Sequence, residues 1–489
     1  MALAKRPRQP WLAALLSFFV PGLGQAYLGR WLLGVILIVP FALIVVGAVA
    51  IWFGGQEALR RQVFSSPFLI GLFVLNATLF MWRAFAIAHA GLSDDPMAPP
   101  TVPREPAWTQ RLGLAAIGLL LISTAAMHFY VGMIVVRLNA TLDEVFDPGM
   151  GSQGRDPGGE PAGEEPVEEV PEFHWDGQER INFLLVGLDD APGRQASLTD
   201  TILALSIDPA DESAVMVSIP RDTGFVPLPS DAIYPDRIYP KKINELAGEA
   251  RANAEQWCPD RSISNDAEAT SCGIATLVDT VELYLGIPIH YSARIDLVGF
   301  ERLIDAVGGI ELCLEGRLVD PLYIDSSGNA RGLELPAGCH AYDGASALAY
   351  ARSRQGWIEM SDGTREPQND FLRADRQQEI LLAVRDELER SNFLVDLPPL
   401  LDAIGSLVTT DFPRGQAGDL ASLLPLVTGP AIDRLVLGYP DFVDLPVDPD
   451  LNYLLTPRRE AIRAEMEALF GRDGELEGWY LGEDALPTH

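Results

Sequence analysis

Three apolar stretches in the first 137 residues, 31–53, 67–89 and 112–136, are each long enough to cross the hydrocarbon core of a bilayer. Lipid offers backbone groups no hydrogen-bond partners, so such stretches must fold as helices and tie the rest of the chain to a membrane. A fourth stretch, 11–28, is interrupted by Pro21-Gly22-Leu23-Gly24-Gln25. The break frees backbone groups, so this segment reads as a re-entrant hairpin or an interfacial helix rather than a span. Lys5, Arg6 and Arg8 precede it and favour a cytoplasmic N-terminus. Three crossings then place everything beyond residue 137 outside the cell, whereas four would place it inside. The region is too long and too repeatedly apolar for a cleavable signal peptide.

Charge divides the chain at the same point. Residues 1–137 carry 10 Lys/Arg against 4 Asp/Glu, a net of +6, in a chain whose total is −32, so the remainder carries −38. Acidity of that size excludes nucleic acid as a partner, because a phosphate backbone needs a basic face. It leaves room for a small phosphorylated ligand held by a local basic cluster. All four cysteines, Cys258, Cys272, Cys313 and Cys339, lie beyond the membrane region. None is in a CxxC pair and no His stands at zinc-finger spacing, which argues against zinc. An even count outside a membrane suits an oxidising compartment. Cys258 and Cys272 bracket one polar loop and Cys313 and Cys339 another, so sequential pairing is expected over the other two connectivities.

The chain divides into a multi-span membrane region (1–137), an acidic Pro/Gly-rich linker (138–180), a folded domain (181–470) and an acidic, turn-rich tail (471–489). The linker is too polar to offset its ordering entropy and its charges extend it, so it reads as a spacer. In the domain, 181–188 reads as a buried strand, 201–208 and 214–219 as a hairpin, and 289–295 and 310–314 as strands. Residues 272–285, 297–307, 342–352 and 373–390 have helical spacing, with further apolar helical patches at 397–408 and 420–427. Strands alternating with helices give an α/β domain, a central mixed sheet covered by helices.

The chain has no GxxxxGK[ST] loop, no HExxH and no GxSxG, and its six histidines are scattered. The placement of the bases is more informative. Two of only three lysines are adjacent, Lys241 and Lys242. Arg221 follows a strand, Arg352 and Arg354 end one helical run, and Arg373, Arg376 and Gln377 open another. Arg373 and Gln377 are a helical turn apart and share a face. A lone strand-end arginine is more often half of a structural ion pair, and Asp189, Asp190 and Asp200 at strand boundaries are ordinary turn formers. Only the combination points further: arginine forks match phosphate oxygens, and carboxylates beside them can hold a metal.

The ordered motifs Ile181–Asp189, Thr199-Asp200-Thr201, Ser218-Ile219-Pro220-Arg221-Asp222, Lys242-Ile243-Asn244, Asp305-Ala306-Val307-Gly308-Gly309-Ile310, Tyr350-Ala351-Arg352-Ser353-Arg354 and Asp370-Phe371…Arg373…Arg376-Gln377-Gln378 resemble the LytR-CpsA-Psr family over residues 181–395. The resemblance implies an α/β sandwich with a pocket for a prenyl chain. It also implies transfer of a glycopolymer from a polyprenyl-pyrophosphate carrier to a peptidoglycan hydroxyl in cell-wall assembly. By the same resemblance Asp189 and Asp200 hold Mg²⁺, Arg221, Arg352 and Arg373 serve the chemistry, and Lys242, Arg354, Arg376 and Gln377 surround the pyrophosphate. Alternatives are a polyprenyl or nucleotide pyrophosphatase and a non-catalytic lipid-pyrophosphate-binding regulator.

Two departures stand out. The family has Arg two residues before its second Asp, where this chain has Leu198; Arg194 is a substitute only if its loop folds back. Residues 355–369, with Trp357, Asp362 and Glu366, are longer than the family pattern and read as an inserted surface loop rather than a lid. If the site arginines are solvated, replacing Arg221 or Arg373 should leave folding little changed.

Overall fold

A computed structural model describes residues 9–50, 53, 62, 64–93, 107–146, 179–189, 198–325, 328–390, 408–418, 432–446 and 453–471. The chain forms two units, Met1–Ala140 and Thr141–His489.

The described helices of the first unit are α1 (Pro10–Phe19), α2 (Leu23–Tyr27), α3 (Trp31–Ala50), α4 (Ser66–Leu92) and α5 (Ala107–Val145), the last of which runs past the unit's end at Ala140. Among the described residues, α3, α4 and the Trp108–Val145 part of α5 are long and apolar enough to cross a membrane. The ten residues of α1 span only ~15 Å and are not. Between α1 and α2, Gly22 takes φ +101°, and a Cβ there would lie 2.3 Å from Gly34 O. The groups freed by this break are satisfied inside the protein. Buried Gln25 accepts from Ser17 Oγ (3.0 Å) and donates to Ala86 O (2.8 Å), Gly24 N donates to Ser17 Oγ (3.2 Å), and Arg83 Nη2 donates to Phe18 O (2.7 Å). This is the condition under which non-helical backbone is tolerated in lipid.

The second unit is built on a six-stranded mixed sheet in the order β13-β6-β1-β2-β3-β14. Its strands are β1 (Ile181–Asp189), β2 (Leu198–Asp208), β3 (Ser213–Ser218), β6 (Tyr291–Asp296), β13 (Val408–Thr410) and β14 (Ile432–Val436). β1, nearly continuously apolar, sits at the centre, antiparallel to β2 and parallel to β6. The expected hairpin is β2–β3, in register from Leu203↔Ser218 to Asp208↔Ser213. Two short ladders complete the edges, β4 (Val226–Pro227) with β5 (Ile238–Tyr239) and β15 (Val443–Asp444) with β16 (Thr456–Pro457).

Helices cover the sheet. One core joins Leu184, Val186, Ile202 and Val217 to α6 (Ile243–Ala252), α8 (Asp266–Leu285) and α12 (Arg459–Phe470), with the one-turn α7 (Ala254–Trp257) leading into α8. A second core gathers α9 (Leu297–Ala306), β7 (Ile310–Leu314), α10 (Gly344–Arg352) and α11 (Asp370–Arg390). Asn265 caps α8 by accepting from Glu268 N, and Asp296 and Asp343 cap α9 and α10 in the same way. Cys258 is bonded to Cys272, and Cys313 to Cys339 across the directly paired strands β7 and β10 (Gly338–Tyr342).

The segment read as an inserted surface loop is instead a β-hairpin. β11 (Trp357–Glu359) and β12 (Arg365–Pro367) extend a sheet with β8 (Arg317–Asp320) and β9 (Leu333–Leu335) in the order β12-β11-β8-β9. The hairpin is stabilised where Arg365 stacks on the Trp357 ring at 4.7 Å and pairs with Glu359. Of the patches expected to be helical, Val408 begins β13, and 397–407 and 420–427 lie outside the described residues. So do Asp190, Arg194, the linker from 147 to 178 and the tail beyond 471.

Candidate active site

The C-terminal end of β1 and the start of β2 lie together at one end of the two central strands. The β1–β2 register slips between Gly187 and Leu188, and beyond that bulge Asp189 pairs with Leu198. Bulges re-aim strand ends, and this one brings Asp189 and Asp200 to the wall of one cleft. Pro220, which has no N–H to donate, follows β3 and releases the chain, so Arg221 and Asp222 point into the same cleft. Lys242 and Asn244 come from the start of α6, Arg352 and Arg354 from the end of α10, and Arg373 from the first turn of α11. The cleft encloses about 1230 Å³.

Charges interlock within it. Arg221 Nη1 donates to Asp200 Oδ1 at 2.8 Å, and Arg221 Nε lies 3.5 Å from Asp370 Oδ1. Arg373 Nη2 donates to Asp200 O and to Asp370 Oδ2, each at 3.2 Å. Lys242 Nζ meets Asp222 Oδ1 at 2.7 Å, and Arg352 Nη2 reaches Asp189 Oδ2 at 3.4 Å. Burial alone would raise the Asp200 carboxyl, but Arg221, Arg373 and hydrogen bonds from Arg221 and Asn244 outweigh it and hold it below the usual carboxylate range. Burial pulls Arg221 down, yet Asp200 and Asp370 more than offset it and leave its guanidinium raised. For Arg373 burial wins and lowers it, because Arg221 opposes the help of Asp370.

Several buried polar atoms here are left over. Among the described residues, Arg352 Nη1, Arg373 Nε and Asn244 Oδ1 have no hydrogen-bond partner. Each such group costs about 1–3 kcal/mol, so their convergence on one cleft marks a wall shaped for a polar, multiply charged ligand. Asp189, Asp200 and Asn244 present oxygen donors, the set a small hard divalent cation accepts.

The structure brings Asp189, Asp200, Arg221, Lys242, Arg352, Arg354 and Arg373 together on this cleft, with Leu198 beside Asp189. Arg376 and Gln377 are not on it. Arg376 is 4% exposed and is spent inside the protein: it donates to Tyr350 O at 2.9 Å, to Ser353 O and to Gln368 Oε1. It splints α10 to α11 and so holds Arg352 indirectly. Gln377 turns its amide towards Ala351 O at 3.5 Å. Arg373 is itself 4% exposed, which corrects the premise that it is a solvated arginine whose loss leaves folding unchanged.

Sequence reasoning gave no role to Asp222, Asn244 or Asp370, although each lies in a motif it quoted. It missed Tyr323 entirely. This tyrosine lines the cleft from the loop between β8 and β9; burial raises its phenol, and the Arg352 guanidinium facing it offsets part of that rise. The only signal was an aromatic between two aliphatic residues, Leu322-Tyr323-Ile324, in an otherwise polar loop.

A sequence model described as the LytR_cpsA_psr family matches residues 156–440. The chain is similar to the cell wall biosynthesis protein LcpA of Corynebacterium glutamicum, 28% identical over 253 residues, covering 51% of this chain and 43% of that one. It is 29% identical over 251 residues to the polyisoprenyl-teichoic acid–peptidoglycan teichoic acid transferase TagU of Halalkalibacterium halodurans, covering 51% of this chain and 67% of that one. The chain thus spans less than half the length of the first of these relatives. Against the crystal structure of Bacillus subtilis TagV the identity is 23% and the TM-score 0.42, covering 60% of this chain and 97% of that one.

Proposed function

The chain belongs to the LytR-CpsA-Psr family, and from that premise we propose that it transfers a glycopolymer from a polyprenyl-pyrophosphate carrier to a peptidoglycan hydroxyl in cell-wall assembly. The observation that carries this reading is the cleft wall of Arg221, Arg352, Arg354, Arg373 and Lys242 set against Asp189 and Asp200 in a strongly acidic domain. Two relatives point the same way, one named for cell wall biosynthesis and one for transfer of teichoic acid to peptidoglycan.

The protein's part is positioning and charge stabilisation, since phosphoryl transfer leaves little covalent chemistry to side chains. Arg221 and Arg373, braced by Asp200 and Asp370, present fixed guanidinium groups to the transferring phosphate. Arg352 and Lys242, tethered to Asp189 and Asp222, flank it. Asp189 and Asp200, with Asn244 beside them, would hold Mg²⁺, which needs only one or two carboxylates besides water and phosphate oxygens. When bound, the ion neutralises charge on the phosphate oxygens. In this reading the protein is a multi-pass chain of the cell membrane with its α/β domain on the extracytoplasmic side, supported by three helices long and apolar enough to cross a membrane and by two disulfides, which suit an oxidising compartment.

The test is turnover by the full-length protein in detergent, given a polyprenyl-pyrophosphate-linked oligosaccharide and peptidoglycan fragments, with products identified by mass spectrometry. Transfer predicts polyprenyl phosphate and a phosphodiester-linked glycan in equal amounts. Release of free sugar phosphate with no adduct would identify a pyrophosphatase. Binding without turnover would identify a regulator.

A further inference from the structure

Lys242 presents its charge to the cleft from a flexible stem, unlike the planar forks of Arg221, Arg352 and Arg373. Asp222 Oδ1 meets its ammonium at 2.7 Å. A second group bears on the same charge. The centroid of the Tyr453 ring lies 5.9 Å from Lys242 Nζ, within the range at which an aromatic face attracts a cation.

Backbone hydrogen bonds bring Tyr453 there. Gly224 N donates to Leu455 O and Leu455 N to Asp222 O, each at 2.9 Å, and Thr223 and Leu455 form a parallel bridge. Residues 453–455 therefore run beside 222–224. Gly224 permits the approach, since a Cβ there would lie 2.4 Å from Leu454 Cγ. The same strip also receives the start of α6: Ile243 N donates to Thr223 O at 2.8 Å, and Asn244 N to Arg221 O at 3.3 Å. One short piece of backbone, 221–224, thus ties together Lys242, its carboxylate and its ring.

The segment that follows is firmly anchored. Leu454 and Leu455 are buried, Thr456–Pro457 pairs with β15, Arg458 meets Asp444 at 2.6 Å, and α12 sets Ile462, Met466 and Phe470 into the core. Tyr453 itself stays 39% exposed. Burial, Asp222 and Asp370 raise its phenol, which puts the residue beside the Asp222–Lys242 pair. Residue 453 lies outside the stretch, 156–440, that matches the family.

We propose that Tyr453 is a positioning residue that holds the Lys242 ammonium at the cleft for the donor's pyrophosphate, an inference that rests on the pyrophosphate-binding part of the transfer reading above. The residues lining the cleft do not include Tyr453, so it acts through Lys242 and not on the ligand. Asp222 alone serves this purpose poorly, because a carboxylate that attracts the ammonium also repels an arriving phosphate. An aromatic face adds attraction for the cation without adding a negative charge. It also narrows the rotamers over which a lysine stem otherwise spreads. The ring, not the hydroxyl, carries the effect.

The experiment titrates full-length protein in detergent with geranylgeranyl pyrophosphate, a prenyl pyrophosphate without a glycan, and follows urea unfolding of each variant. Tyr453→Ala should weaken binding about fivefold, the equivalent of ~1 kcal/mol, with the urea midpoint unchanged. Tyr453→Phe, which keeps the ring, should restore most of the affinity. Lys242→Met should weaken binding by at least as much, and adding Tyr453→Ala to it should cost nothing further, since the two act as one unit. A ring that merely packs would give the same loss with and without Lys242→Met, and that result overturns the proposal. So does full affinity in Tyr453→Ala, or a Tyr453→Phe variant as weak as Tyr453→Ala. An unsubstituted protein that does not bind the probe defeats the pyrophosphate reading of the cleft, and this inference with it. Binding without transfer in the assay above defeats only the transfer reading, and the variant comparison still decides the role of Tyr453.

Discussion

Asp200 accepts from Arg221 at 2.8 Å across the mouth of two antiparallel strands, with only 16% and 11% of the two side chains exposed. The pair is the hinge of the cleft's charge network, because Arg221 also faces Asp370, and Arg373 holds Asp370 and the Asp200 carbonyl. Removing one member leaves the others buried and unbalanced.

That network should give the fold an acid limit. The Asp200 carboxyl is held low in the folded protein: burial pushes it up, but Arg221, Arg373 and the Asn244 amide push it further down. A depressed carboxyl contributes stability that is present above its unfolded value of about 3.9 and is lost as the pH falls through the folded value. Thermal melts of the full-length protein should therefore drop more steeply below about pH 4 than melts of Asp200→Asn. Parallel curves would show that the pair carries no proton-linked stability.

Arg373 and Arg376, three residues apart on α11, should fail in different ways. Arg373→Ala removes a cleft guanidinium and should lower turnover by roughly 10²–10³-fold. It also leaves Asp370 and Asp200 short of a partner, costing about 3–5 kcal/mol as a broken buried pair does. Arg376→Ala frees Tyr350 O and Ser353 O and should destabilise by a similar mechanism. Since Arg376 does not line the cleft, its surviving folded fraction should keep most of its kcat. Active-site titration alongside urea unfolding separates the two, and equal loss of kcat per folded molecule would put Arg376 back at the phosphate.

This pair also shows where sequence was legible. A helix start rich in Arg and Gln announces a functional end, and the strand-end aspartates at 189 and 200 could be placed because apolar runs β1 and β2 are unambiguous. Which arginine turns inward could not be read. Residues 373, 376 and 377 lie within about one turn, and the choice is made by carbonyls at the end of α10, 23 to 26 residues earlier in the chain and outside any local pattern. Residues 355–369 went wrong for a related reason: strands of three residues, paired to a β8 far earlier in the chain, leave no periodicity to detect. Tyr323 was invisible because its role comes from Asp320 pinning two distant segments together.

The disulfides should matter unequally to folding and to catalysis. Cys258–Cys272 closes a loop of sequence separation 14 and anchors α7 against α8 behind the core. Its loss through Cys258→Ser/Cys272→Ser should cost about 3 kcal/mol by the loop-entropy relation, with KM for the donor unchanged. Urea unfolding under non-reducing conditions measures the first, and a donor titration the second. A large change in donor KM would mean that α7 and α8 position the cleft more directly than their contacts indicate.

Leu198 tests whether this cleft has lost a cation or replaced one. It lines the wall and pairs across the bulge with Asp189, so a side chain there lies beside the carboxylate that Arg352 already meets at 3.4 Å. Leu198→Arg would place a guanidinium within reach of both Asp189 and a bound pyrophosphate. The position is half-buried at the start of β2, so the longer side chain can extend along the cleft without displacing the core. If the site is one cation short, the variant should raise kcat/KM for the donor by about tenfold, the value of one added charge-assisted contact of ~1.4 kcal/mol. The gain should shrink as ionic strength rises, because the contact is open to solvent. Unchanged kcat/KM in Leu198→Arg, together with a large loss in Arg194→Ala, would show instead that the loop between β1 and β2 already supplies the missing charge.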